Sequence, residues 1–137
     1  MTEHVATAYA VTLEPLAAID PLRERWQALE LKAQPACFLR WYWIETWLET
    51  FSPQALLASV EFDGDTVALG LFVIRHEARH GILRSRVAYL HQTGNPLEDQ
   101  IWVEYNGLLE EPRHRGPALR ACCEALLNRG LADEVRL

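Results

Sequence analysis

At 137 residues, half of them hydrophobic and 23% charged, the chain has the length and composition of one folded domain with its own core, not of a disordered segment. A formal net charge of −6 argues against a nucleic-acid partner, and the longest unbroken apolar run, Val67 to Ile74, is far too short to span a membrane. The opening Met-Thr-Glu-His has no basic segment followed by an apolar block, so no signal peptide and a soluble, cytoplasmic protein are expected. Cys37, Cys122 and Cys123 are odd in number and lack metal-ligand spacing. Neither a disulfide framework nor a metal site is indicated, and all three are expected to serve as small apolar residues.

In chain order, Val5 to Leu13 alternates weakly and is rich in Val, Thr and Tyr, which predicts a first strand. Asp20-Pro21 predicts a helix start, with Asp20 as N-cap acceptor and a proline whose missing N–H costs nothing at the first helical position. Leu22, Trp26, Leu29 and Ala33 then recur at helical spacing, and Gln34-Pro35 stops the helix. A second helix is predicted over Phe38 to Phe51, ended by Ser52-Pro53. Its Trp41, Trp43, Ile44, Trp47, Leu48 and Phe51 fall in an arc of roughly 160°. Arg40 is the one polar residue in that arc, at the first turn. Aromatic rings dominate any core they enter, so this helix is expected to be the element on which the rest packs, or else to wall a ligand.

The period then changes. Ala55 to Phe62 and Thr66 to Ile74 are apolar runs joined by Asp63-Gly64-Asp65, a hairpin signal. After a polar turn through His76 to Gly81, Ile82 to Leu90 predicts a third run and Gln100 to Leu109 a fourth. That last run alternates, with Ile101, Val103 and Tyr105 on one face and Trp102, Glu104 and Asn106 on the other. The polar loop between them, His91 to Asp99, is of the kind that carries function, and His91 near Asp99 is its histidine to watch. Gly116-Pro117 opens a last helix, with Leu119, Cys122, Cys123, Leu126 and Leu127 on one stripe and Gly130 as its C-terminal cap. Glu134 to Leu137 reads as a further strand. The expected fold class is α/β (α+β): one domain over residues 1–137, a mostly antiparallel sheet flanked by helices, truncated at its C-terminus.

The unit from Glu104 to Leu127 is the most informative for function. A helix N-terminus after a turn offers free backbone N–H groups and a positive dipole end, and Arg113-His114-Arg115-Gly116-Pro117-Ala118 adds basic side chains and a small residue. Strand, two helices, antiparallel strands and then such a loop opening a helix is the order of a GNAT N-acetyltransferase, which the chain resembles. The Trp-rich stretch Phe38 to Leu48, with Thr93-Gly94-Asn95-Pro96 and the segment Ile101 to Leu109, is similar to the CelD-like group associated with cellulose biosynthesis. That resemblance implies an acyl-CoA co-substrate, a parent more than twice this length, and a second GNAT-like half carrying the clearer acyl-CoA site. This chain would then be the N-terminal part.

In such proteins an Arg/Gln-x-x-Gly-x-Gly/Ala loop holds the pyrophosphate of acetyl-CoA. Arg113, Gly116 and Ala118 fit it in one register. In the other Arg115 comes first, and Ala118 and Arg120 fall where glycines belong. Either way Pro117 removes a donor, so weak binding of acetyl-CoA is expected. Glu104 is the candidate general base for an acceptor amine, and Asn106, before Gly107, a candidate to hold a substrate carbonyl, although Asn-Gly is also a turn or bulge signal. Three functions follow: an acyltransferase N-terminal domain acting on an unknown amine or hydroxyl; a non-catalytic GNAT-like module for acceptor recognition or packing; or half of a FemAB-like aminoacyl transferase. Homodimerisation, or packing on the second half, is expected of either edge strand.

Overall fold

The computed structural model describes residues 8–79, 81–100 and 106–137. It is an α+β domain in three layers, a mixed and mostly antiparallel six-stranded sheet with helices on both faces. Strand β1 (Ala10–Pro15) leads to helices α1 (Ile19–Ala33) and α2 (Trp41–Phe51). Strands β2 (Ala55–Phe62), β3 (Asp65–Arg79) and β4 (Leu83–Leu90) follow, then the two-residue β5 (Leu109–Glu110), helix α3 (Pro117–Asn128) and β6 (Glu134–Arg136). The strand order is β1-β2-β3-β4-β6, with β5 paired to β3, and only the β4–β6 pair is parallel.

Period-two alternation along β3 builds both layers. Leu69, Leu71 and Val73 join Ala55 and Leu57 of β2 against Leu22, Trp26 and Leu29 of α1 and Ile44, Trp47 and Leu48 of α2. On the opposite face Ala68 and Phe72 join Val60, Ala88 and Leu90 against Ala118, Cys122 and Leu126 of α3. Trp26 is fully buried and its indole N–H donates to the Leu39 carbonyl at 2.8 Å, so the largest ring of the core brings its polar atom to a partner. The β2–β3 hairpin turns at Asp63 (φ 52°) and Gly64 (φ 81°), two left-handed residues whose twist matches the flanking strands.

Several boundaries differ from the sequence expectation. The N-cap of α1 is Ala18; Asp20 sits inside the first turn, 3.0 Å from Arg23, where a carboxylate complements the dipole and Pro21 still loses no helical bond. The tryptophan helix does not begin at Phe38. Residues Cys37–Leu39 form a 3₁₀ turn, and Arg40 is extended (ψ 149°), so it lies ahead of α2 and not in its apolar arc. The Glu30 carboxylate of α1 accepts the Trp41 N–H at 3.0 Å and so caps α2 from a neighbouring helix.

Strand β3 runs on to Arg79 through the segment expected to turn, because His76, Glu77, Ala78 and Arg79 pair with Arg86, Ser85, Arg84 and Leu83. Of the expected fourth strand the described residues show Leu109–Glu110 as strand and Gln100 closing a 3₁₀ turn; residues 101–105, and Val5 to Thr7 of the expected first strand, lie outside the described residues. On α3 the buried stripe is Ala118, Cys122 and Leu126, an i, i+4, i+8 row, while Leu127 is exposed. Gly130 (φ 69°) ends α3 as expected: its N–H reaches the Leu127 carbonyl and that of Leu131 the Leu126 carbonyl, a paired Schellman closure.

Candidate functional site

The edge of β3 away from β2 carries two collinear pieces, β4 over Phe72–Arg79 and β5 over Ala68–Leu69. Between them the chain leaves at His91 (φ 50°) and returns at Leu108, so Gly70 and Leu71 face a break in the ladder. One residue fills it. The His91 N–H donates to the Leu71 carbonyl at 2.8 Å, and the Leu71 N–H donates to His91 Nε2 at 3.1 Å. An accepting Nε2 fixes the proton of the neutral ring on Nδ1, which faces Asn106 Oδ1 at 3.3 Å; Asn106 Nδ2 donates to the Leu90 carbonyl at 2.7 Å. Burial lowers the His91 pKa to about 4, the Asn106 hydrogen bond opposing only part of that.

Asn106 therefore ties the two sides of the break together. His91 does not engage Asp99. The Asp99 carboxylate instead accepts the Thr93 N–H (2.8 Å), the Thr93 hydroxyl (3.2 Å) and the Gly94 N–H (2.7 Å), folding residues 93–99 on themselves. Gly94 (φ 78°) lies on the Tyr89 ring, where a Cβ would stand 2.9 Å from two ring carbons. Beneath it the Tyr89 hydroxyl bonds Glu77 and receives Arg136 at 3.0 Å, and burial, ahead of the Glu77 contact, raises the phenol pKa.

Between this loop and α2 lies a slot of about 110 Å³. Trp43, Trp47 and Phe51, on successive turns of α2, form one wall with Thr46 and Thr50; His91, Gln92, Glu98 and Asp99 form the other. Phe51 and Glu98 also border an open groove of about 990 Å³ that continues past Gln54, Arg75 and His76. The expectation of a core-forming tryptophan helix holds, with Trp41, Ile44, Trp47 and Leu48 buried, and the Trp43–Trp47–Phe51 edge also lines a cavity.

The sequence-predicted cofactor loop folds at the N-terminus of α3. Gly116 is its N-cap at φ 92°, a conformation that favours glycine, beside a groove of about 620 Å³ shared by Tyr9, Pro117, Arg120 and Glu124. The guanidinium of Arg113 lies 3.9 Å from Glu111 and that of Arg115 lies 3.7 Å from Glu110, whose carboxyl burial pushes up in pKa and Arg115 pulls back. Ala118 is wholly buried against the sheet. His114, inside this basic turn in sequence, is buried too, its Nδ1 2.9 Å from the Tyr9 hydroxyl and its ring against Phe62. Glu104 lies outside the described residues, so the structure brings Arg113, Arg115, Gly116 and Ala118 together and leaves Asn106 in the sheet break.

Cys122 is buried and its thiol is pushed up to about 12, as befits a core residue, whereas Cys37 is exposed. Among the described residues no group of three or more His, Cys, Asp or Glu is placed to hold a metal ion, and no helix is long and apolar enough to cross a membrane. The sequence reading missed the His91–Leu71 bond and the Glu77–Tyr89–Arg136 group, because both depend on strand register across 12 to 47 residues. No family model matches the chain, and neither a curated protein nor a solved structure matches it.

Proposed function

We propose that the chain is a GNAT-like module of an acyltransferase, that it recognises the acceptor, and that acyl-CoA is held on a second GNAT-like half. The observation that carries this reading is the slot between α2 and residues 91–99: a small aromatic cavity continuous at Phe51 and Glu98 with a groove long enough for the remainder of a ligand. Further support comes from the element order, strand, two helices, antiparallel strands, helix, which is the order the resemblance implies. At α3 the two arginines expected to meet a pyrophosphate lean on Glu110 and Glu111, and Pro117 supplies no N–H. In the complete reaction the acceptor nitrogen or oxygen attacks the thioester carbonyl, a base takes its proton and the CoA thiolate leaves. The part proposed for this chain is to hold the acceptor for that attack.

One observation favours a second reading, in which the chain itself carries acyl-CoA: Gly116 at φ 92° opens α3 beside an open groove, as a pyrophosphate cradle would. Arg113, Arg115, Gly116 and Ala118 would then bind the cofactor and Glu104 would be the base. Calorimetric titration with acetyl-CoA separates the two. We expect no measurable heat; a low-micromolar Kd abolished by Gly116→Trp would establish the second reading. The outer edge of β6 carries no strand among the described residues, and a second copy or a second half is the partner proposed for it.

A further inference from the structure

We propose that the slot takes a substituted ammonium headgroup, tertiary or quaternary, with the rest of the ligand lying along the neighbouring groove. The inference rests on the slot being a recognition site and adds what it recognises. Three aromatic rings, Trp43, Trp47 and Phe51, stand in a row on one wall. Ring faces attract a cation through their quadrupole, and alkylated ammonium groups, weakly hydrated, gain most from this. The opposite wall brings two acidic residues, Glu98 and Asp99, the second with its carboxylate bonded to Thr93 and Gly94, and among the described residues no Lys or Arg lines the cavity. His91, the remaining titratable group on that wall, is held neutral by burial and by its bond from Leu71. Arg75 and His76 line the groove and not the slot, which places the positive end of a ligand in the slot and any anionic end outside it.

Size and charge then narrow the occupant. A cavity of about 150 Å³ accommodates benzene, so one of about 110 Å³ suits a compact group of a few heavy atoms. A neutral apolar group would satisfy the rings but would strip water from the Glu98 carboxylate without compensation. A bare ammonium would satisfy that carboxylate but surrender its hydration to an apolar wall. An alkylated ammonium satisfies both.

The test uses choline and its neutral isostere 3,3-dimethylbutan-1-ol, titrated into the whole chain while the indole N–H resonances of the tryptophans are followed by NMR. The Trp26 indole is not in the slot lining, and its ring meets only His91 of the slot wall, so its shift should be smaller than those of Trp43 and Trp47. Saturable shifts at Trp43 and Trp47 with choline, roughly tenfold weaker with the alcohol and about fivefold weaker with choline in Glu98→Gln, are expected. Equal binding of both compounds would overturn the ammonium assignment and leave the slot as a recognition site. Binding of neither would overturn both.

Discussion

His91 takes the hydrogen-bonding place of a strand beside Leu71, its main-chain N–H on one Leu71 group and its ring Nε2 on the other. A backbone pair buried in a sheet must find partners, and here a single side chain supplies the second one. The ring also stands edge-on to Trp26, 5.8 Å between centroids, and forms part of the slot's wall. The break in the sheet, the core and the cavity thus share one residue.

This arrangement predicts an acid-sensitive fold. The His91 ring has a pKa of about 4 when folded against 6.5 when unfolded, so the unfolded chain binds its proton more readily. Its stabilising contribution is complete above about pH 6.5 and is lost progressively as pH falls towards 4, by about 3 kcal/mol. Urea titrations across that window should show the loss, and His91→Gln, whose amide keeps an acceptor and a donor without titrating, should flatten that part of it.

Asn106→Ala should destabilise by about 2 kcal/mol, because it leaves the Leu90 carbonyl and the His91 Nδ1–H unpaired in the interior. Denaturant midpoints measure this directly. Unchanged stability would return Asn106 to a role on substrate.

Gly94→Ala combines a left-handed backbone with a Cβ pressed onto the Tyr89 ring. A loss of about 2 kcal/mol is expected from strain and overpacking together, with the Tyr89 ring resonances shifted. A stability within about 0.5 kcal/mol of the parent would show that residues 93–99 do not rest on Tyr89.

Trp47→Ala should cost about 3–5 kcal/mol, as large aromatic truncations in cores do. Trp47 is 9% exposed, one edge in the core and one on the slot, so the chain should lose most of its folded population by circular dichroism.

Local signals account for what was legible in the sequence. The rows Leu22–Trp26–Leu29–Ala33 and Ile44–Trp47–Leu48, the Asp63-Gly64 turn and Gly116-Pro117 each carry their structure in spacing or dihedral preference, and each appears where expected. The start of α2 differs from the expected one because its capping carboxylate, Glu30, belongs to another helix. The alternation from Gln100 to Leu109 has strand period, yet only Leu109 and Glu110 find a partner among the described residues, because β4 already occupies the further length of β3. For the site, the α3 loop was legible as a helix opening. The slot's aromatic wall was visible as a helical row, but its facing carboxylates come from a loop whose fold is set by Asp99, Thr93 and Gly94. No spacing rule reaches that.

The central claim, that a neutral His91 closes the sheet break and backs the slot, is tested most directly by the nitrogen-15 spectrum of its ring. At about pH 5.5, below the pKa of an unperturbed histidine, the account predicts a neutral ring protonated on Nδ1. Its Nε2 should be unprotonated and scalar-coupled to the Leu71 amide across their hydrogen bond. An imidazolium at that pH, or a proton on Nε2, would contradict it.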